Sequence, residues 1–175
     1  RDADQLHRVY FEWPNPAGET QTWPRESYKT YVALRDQVRG LEAVGAFWGH
    51  TVSSGRGVDA HAVDAVLATP SMFTMLGVSP ALGRFFDASE ERDDGDHVAV
   101  IGYDMWRARF NGDSGVLGRT IDVAGTPYII VGVAPEEFTG VDGDRVHLVY
   151  NGVRIDSAAR LARSTGGPLR LLPPD

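Results

Sequence analysis

The sequence predicts an α+β fold with mixed sheets and short helices. Two observations support this prediction. Near its start the chain passes from a strand pattern through a helix pattern to a second strand pattern. Further along, β-hairpins are interspersed with short helical segments, without the regular β-α repeat that builds a doubly wound parallel sheet. The 175 residues suffice for one domain, or for two small subdomains, with a sizeable core.

The first third of the chain predicts a strand, a loop, a helix and a hairpin. Leu6–Trp13 is rich in β-forming residues, whereas Pro14–Pro24 carries Pro, Gly and Thr and predicts a loop. Arg25–Val38 has apolar residues close to helical spacing. Leu41–Val52 and His61–Ala68 are strand patterns that flank a Gly- and Ser-rich turn, so we expect an antiparallel hairpin.

The rest of the chain predicts short helices between further strands. Thr69 suits the N-cap of a helix that runs to Leu76, and Gly77 would end it in the left-handed conformation. The other expected elements are a solvated loop at Glu90–Asp96, a strand at His97–Gly102, a helix at Tyr103–Phe110, a hairpin of Arg119–Val123 with Tyr128–Ala134, a strand at Arg145–Tyr150, a helix at Asp156–Arg163 and a weakly ordered tail.

Composition argues against several classes of partner. The net charge of -7 disfavours nucleic acid and an anionic membrane surface, since both attract a basic protein face. The chain has no cysteine, which excludes disulfides and thiolate chemistry. No apolar run approaches the ~20 residues that span a bilayer, and the first residues lack a signal-peptide core. We expect the chain to be a fragment of a longer protein.

Motifs of catalysis and of metal or cofactor binding are absent from the sequence. The histidines do not form an HExxH pattern, and there is neither a G-x-S-x-G elbow nor a phosphate loop. The acidic clusters Glu90–Asp96 and Asp142–Asp144 lack the spacing of a calcium loop. We therefore predict no catalytic residue, no cofactor and no metal. An enzyme would need His50, His61 or His97 to meet carboxylates in one cleft.

Aromatic and arginine residues allow two interpretations. Rings such as Trp48, Phe73 and Trp106 are typical of a core, but they could also line a pocket of a small-molecule or peptide-binding module. Arg84 and Arg119 each follow a glycine, in LGRFF and LGRTI. An arginine so placed can brace a turn by donating to carbonyls or a carboxylate.

The stretch from Thr69 to Phe138 carries a family resemblance. The segments MFTMLGVSPALGRFF, VAVIGYDMWRARF and GDSGVLGRTIDVAGTPYIIVGVAP resemble the periplasmic core domain of MacB-like ABC-transporter permeases, above all the orphan permeases of acidobacteria. SYKTYVALRD resembles the helix that precedes this block in the family. The motifs nominate only structural residues: Phe73, Leu76, Gly77, Gly83, Arg84, Phe85, Trp106, Phe110, Gly118, Arg119, Gly132 and Val133.

The resemblance implies an architecture and a role. It implies a non-enzymatic periplasmic domain of an inner-membrane permease, with a porter-like βαβ subdomain at about 1–68 and 139–175 and an inserted α/β subdomain at about 69–138. It further implies a permease dimer and a cytoplasmic ATPase whose work the domain transmits to export or efflux. An adaptor or a lipoprotein in the periplasm is the expected further partner.

Overall fold

The computed structural model describes residues 6–23, 27–91, 95–140, 146–151 and 159–164. Its elements, in chain order, are β1 (Leu6–Val9), β2 (Phe11–Pro14), β3 (Thr20–Trp23), α1 (Tyr28–Gln37), β4 (Leu41–Ser54), β5 (His61–Ala68), α2 (Ser71–Leu76), β6 (Leu82–Gly83), β7 (Val98–Ile101), α3 (Tyr103–Phe110), β8 (Thr120–Val123), β9 (Thr126–Val133), β10 (Leu148–Tyr150) and β11 (Ala159–Ser164).

One mixed sheet organises the described part of the chain. Its strand order is β1-β11-β4-β5-β10-β7-β9-β6, and β8 pairs with β4 and β9. β10 runs parallel to β5, and β7 runs parallel to β9, while the other pairs are antiparallel. β2 and β3 form a separate two-stranded ribbon. The sheet is thus mixed, as the sequence predicts, and it joins the Val98–Ile101 and Tyr128–Val133 segments directly.

Helices α1 and α2 cover opposite faces of this sheet. Ala46 of β4 packs in one hydrophobic cluster with Tyr31 of α1. The next residue, Phe47, packs in a second cluster with Phe73 of α2. Since successive residues of a strand point to opposite faces, the two helices must lie on opposite sides. α1 begins where the Ser27 side chain accepts a hydrogen bond from a backbone N–H of the first turn.

Helix α3 shares the face of α1. Its buried Met105 packs with Val52, which is six residues beyond Ala46 on β4 and so points to the same side. The helix ends at Asn111, which adopts φ 51 in the left-handed region. Asparagine tolerates this conformation better than most residues, and the following Gly112, also left-handed at φ 68, donates its N–H to the Trp106 carbonyl. This end lies within one residue of the predicted Tyr103–Phe110 helix.

Three predictions of local structure are wrong. The helix expected at Asp156–Arg163 is not formed, since Ala159–Ser164 is strand β11 and pairs with β1 and β4; residues 156–158 lie outside the described part. The loop expected at Pro14–Pro24 contains strand β3, which closes a hairpin on β2. Thr69 does not cap α2 with its side chain; its hydroxyl instead bonds to the backbone of Ala46.

Other predictions are confirmed. Gly77 ends α2 in the left-handed conformation with φ 68. The hairpins β4–β5 and β8–β9 form as expected. The division into a porter-like and an inserted subdomain stays a prediction. The expected tail lies outside the described residues, as does Arg145 at the start of the strand predicted before Tyr150. Within the described ranges no helix is long and apolar enough to cross a membrane.

Candidate functional site: a strap across the end of the sheet

The segment from Arg84 to Glu91, which we call the strap, leaves β6 and runs toward β7. It begins with the backbone N–H of Arg84, which donates to the carbonyl of Val131 on β9 at 3.0 Å. The strap therefore starts as an extension of the β6–β9 pairing. From there it makes contacts that involve side chains with α1, with α2 and with Asn151 at the end of β10, and those contacts define the candidate site.

An arginine–glutamate pair closes the strap on itself. Arg84 donates from Nη1 to Glu90 Oε2 at 2.9 Å and from Nη2 to Oε1 at 2.5 Å. The same Nη1 donates to the Phe85 carbonyl at 3.0 Å. The two parallel bonds match the planar fork of a guanidinium to a carboxylate, which is the strongest geometry for such a pair. The carboxylate of Glu90 in turn raises the pKa of the Arg84 guanidinium.

Glu90 is buried, and a buried asparagine fixes its backbone. Glu90 is 7% exposed and Asn151, at the end of β10, is 3% exposed. Asn151 Nδ2 donates to the Glu90 carbonyl at 2.6 Å and to the Asp96 carbonyl at 2.8 Å. Its Oδ1 accepts from the Val98 N–H at 2.8 Å. Every polar atom of this buried amide thus has a partner, as burial requires, and the strap is tied to the centre of the sheet.

The next residue, Glu91, faces helix α1. The Tyr28 hydroxyl donates to Glu91 Oε1 at 3.2 Å, and Arg35 Nη1 lies 4.0 Å from the same oxygen. Burial, together with the negative charge of Glu91, raises the pKa of Tyr28 to about 12. Burial and Glu91 also raise the pKa of Tyr31, one turn further along α1. The Glu90 carboxylate therefore closes the strap on itself, and the adjacent Glu91 carboxylate joins the strap to α1.

The strap also contacts helix α2, on the opposite face of the sheet. The ring of Phe85 stacks on Phe73 of α2 with a centroid distance of 3.9 Å and an interplanar angle of 2°. Phe86 meets the same Phe73 ring edge-on at 5.0 Å. Because α1 and α2 lie on opposite faces, the strap passes around the end of the sheet and joins both layers to it. The strap therefore connects α1, α2 and β9 through direct contacts.

Among the residues that the structure describes, the histidines named as markers of an enzyme do not converge on carboxylates. His50 stacks on Trp48 at 4.4 Å, and its Nε2 lies 2.7 Å from the Tyr150 hydroxyl. His97 stacks on Tyr128 at 5.0 Å. His61 Nδ1 lies 2.9 Å from the backbone carbonyl of Asp59. In the part of the chain that the structure describes, no group of three or more His, Cys, Asp or Glu residues could hold a metal ion.

The profile of the MacB-like periplasmic core domain matches residues 1–166 of the chain. The chain belongs to this family. MacB-like domains are extracytoplasmic parts of ABC-transporter permeases and are not a known class of enzyme. The resemblance drawn from the motifs between Thr69 and Phe138 is therefore confirmed. No curated protein matches the chain with significant sequence similarity.

Solved structures support the MacB-like fold. A domain assigned to a permease protein from Porphyromonas gingivalis is similar with TM-score 0.70 and 17% identity, over 97% of this chain and 78% of that one. The extracellular domain of the noncanonic ABC-type transporter YknZ from Gram-positive bacteria is similar with TM-score 0.66 and 13% identity, over 92% of this chain and 84% of that one. The periplasmic region of MacB from Actinobacillus actinomycetemcomitans is similar with TM-score 0.62 and 16% identity, over 82% of this chain and 67% of that one.

The twelve motif residues of the MacB-like domain fall into two groups around β9. The first group surrounds the strap and α2 and comprises Phe73, Leu76, Gly77, Gly83, Arg84, Phe85, Gly132 and Val133; within it Gly83 pairs with Gly132, and Phe73 stacks on Phe85. The second group lies on or after α3 and comprises Trp106, Phe110, Gly118 and Arg119. Trp106 and Phe110 pack partly buried against the cluster on the α1 face.

Several residues of the site were missed by sequence reasoning. Glu90 belongs to a run of acidic residues that predicts a solvated loop, yet it is buried and paired with Arg84. Asn151 follows a strand without any motif around it. Tyr28 and Tyr31 lie within the segment Arg25–Val38 that predicts a helix, and their three-residue spacing is the signal that both face the same side.

Proposed function

We propose that this MacB-like domain is a stiff body that transmits motion, driven by ATP hydrolysis in a cytoplasmic ATPase, to the export or efflux of a substrate. The observation that carries the proposal is the strap. A displacement of α1 reaches Glu91 through Tyr28, passes to the adjacent Glu90, and from there reaches β9 through Arg84. Closely packed interiors pass strain on because they compress little.

The partners in this proposal follow from membership of the family. Permeases of this kind work with ATPase components as parts of ABC transporters, so we propose that the chain acts within such a permease, as a dimer. An adaptor or a lipoprotein would receive the motion on the periplasmic side. The buried amide of Asn151 joins the strap to β7 and so supports the stiffness that this proposal requires.

Spin-label distances measured in the complete permease with its ATPase test the proposal. Because the 175-residue chain has no cysteine, Lys29→Cys on α1 and Ala124→Cys on the β8–β9 turn place labels at two exposed sites of the domain. A stiff body predicts that the Lys29–Ala124 distance stays the same with and without nucleotide. The distance between the two Lys29 positions of a dimer should change by about 5 Å or more.

A variant that breaks the contact between the strap and α1 is compared with a control variant that leaves the strap intact. Glu91→Ala removes the link to α1, and we expect the Lys29–Ala124 distance distribution to broaden while the unaltered protein keeps a narrow one. Asp113→Asn weakens an exposed ion pair with Arg119 outside the strap and should leave the distribution unchanged. An intact domain whose internal distance follows nucleotide state, or a dimer whose domains do not move at all, would contradict the proposal.

A further inference from the structure

A small apolar groove lies beside the end of α2, where Leu76, Val78 and Phe138 pack against the same cluster as Phe85 of the strap. Leu76 and Val78 form one wall, and Pro135 and Phe138 form the other, with Glu137 at the rim. The groove is largely preformed. The Phe138 N–H donates to the Pro135 carbonyl at 3.0 Å, which closes the second wall into a turn. Pre-organisation of this kind lowers the entropic cost of binding.

The volume of the groove limits what can occupy it. It encloses about 210 Å³. Drug-sized ligands are held in pockets of roughly 300 to 1,000 Å³, whereas an apolar cavity of about 150 Å³ accommodates a benzene ring. The groove therefore fits a single large apolar side chain, such as Leu or Phe, and is too small for a drug-sized molecule. The small-molecule form of a binding module is disfavoured at this place, and the peptide form is favoured.

Charge selects the residues that flank this side chain. In the two segments that form the walls, residues 71–80 and 135–140, the charged side chains are Glu136 and Glu137, and both are exposed. The chain as a whole carries a net charge of -7. An anionic lipid surface or an acidic segment would be repelled, whereas Lys or Arg next to an apolar residue would be attracted.

We infer that this groove docks an extended segment of a partner protein in which one large apolar residue is flanked by Lys or Arg. The segment inserts the apolar side chain between Val78 and Phe138, and its cationic neighbours face Glu136 and Glu137. The inference goes beyond the transmission of motion, because it names a docking surface and the chemistry of its partner. It is tested on the 175-residue chain alone, so its failure leaves the distance measurements on the permease unaffected.

The test is an NMR titration of the 15N-labelled chain with the acetylated peptide Lys-Lys-Phe-Lys-Lys. We expect saturable amide shifts at Val78 and Phe138. Two matched peptides, one with Glu in place of Lys and one with Ala in place of Phe, should bind at least about fivefold more weakly. Glu137→Lys should weaken the first peptide by about fivefold or more.

Glu42→Lys is the matched control variant, because Glu42 is an exposed residue of β4 outside the groove and the change in net charge is the same. It should leave the affinity within about twofold. Equal binding of the acidic or the alanine peptide, an unchanged affinity in Glu137→Lys, or shifts confined to other residues would overturn the inference. So would groove shifts that depend on protein concentration without peptide, since they would make a second copy of the chain the occupant.

Discussion

Two turns of this chain share the sequence Leu-Gly-Arg and end in different surroundings. Gly83 and Gly118 both adopt the left-handed region, with φ 70 and φ 81. Both turns dock on β9, through Arg84 N–H to the Val131 carbonyl and through Gly118 N–H to the Ile130 carbonyl. The local sequence therefore specifies the same kind of turn twice.

The partners of the two arginines differ. Arg84 binds Glu90, whose side chain is 9% exposed, whereas Arg119 binds Asp113, whose side chain is 49% exposed. The glycines differ as well. A Cβ on Gly83 would lie 2.3 Å from the Val131 carbonyl oxygen, but a Cβ on Gly118 would meet nothing within 4 Å. The comparison teaches that local sequence sets a turn, while the tertiary environment sets how much stability depends on it.

The largest expected effect separates the two glycines. Gly83→Ala combines a left-handed backbone with a clash against the backbone of β9, and should lower the free energy of unfolding by about 3 kcal/mol or more. Gly118→Ala carries only the backbone penalty, of about 1 kcal/mol. Urea unfolding of the two variants measures both values. Equal losses in the two variants would show that close packing at Gly83 does not matter.

The next effect separates the two arginines. Arg84→Met leaves the buried carboxylate of Glu90 without its guanidinium and should cost about 2 kcal/mol, a value reduced because Arg84 is itself half exposed. Arg119→Met breaks an exposed pair and should cost no more than about 0.5 kcal/mol. The same urea series gives the difference. A loss in Arg119→Met as large as that in Arg84→Met would contradict this account of burial.

The smallest expected effect is a loss of stability at alkaline pH. It depends on the contacts of the strap and not on the turn at Gly118. Burial and Glu91 raise the pKa of Tyr28 to about 12 and also raise that of Tyr31. The folded state therefore holds these protons more tightly than the unfolded state, in which the pKa is near 10. The resulting stabilisation is complete below about pH 10 and is lost as the pH rises toward 12.

The measurement compares urea midpoints at about pH 8 and about pH 11. Tyr28→Phe should lose less stability over this interval than the parent, because it has no phenol to ionise next to Glu91. Arg119→Met should show the parental loss. Burial also raises the pKa of Tyr150 to about 12, so some alkaline loss should persist in Tyr28→Phe. A parental loss in Tyr28→Phe would show that the Tyr28–Glu91 contact is not made in solution.

The sequence predicts those parts of the fold in which local pattern and tertiary packing agree. The β4–β5 hairpin follows from alternating apolar residues around a Gly-rich turn, and Gly77 follows from the need for a left-handed residue after α2. The helix predicted at Asp156–Arg163 is wrong because the Ala, Leu and Arg residues of Ala159–Ser164 favour a helix, whereas the position between β1 and β4 requires a strand. Tertiary pairing overrides propensity there.

The candidate site was harder to predict than the fold. The glycine before Arg84 predicts that this arginine braces a turn, but it does not predict that Glu90 is the partner of Arg84. Glu90 lies in a run of acidic residues, which in a sequence predicts an exposed loop. In the structure its backbone is held by Asn151, which is 61 residues further along the chain. Contacts of that separation leave no periodic signal in a single sequence, whereas turns and amphipathic helices do.

Strand β10 has a consequence for how the protein is made. It is three residues long and fills the position between β5 and β7, both of which precede it in the chain. β11 fills the position between β1 and β4 in the same way. A polypeptide delivered across a membrane from its N-terminus thus displays four open strand edges before their neighbours emerge. Such edges invite pairing with other chains. All four edges are open together from the emergence of residue 101 to that of residue 150, and those of β1 and β4 stay open until residue 164. We therefore expect the need for a chaperone to be greatest between residues 101 and 150.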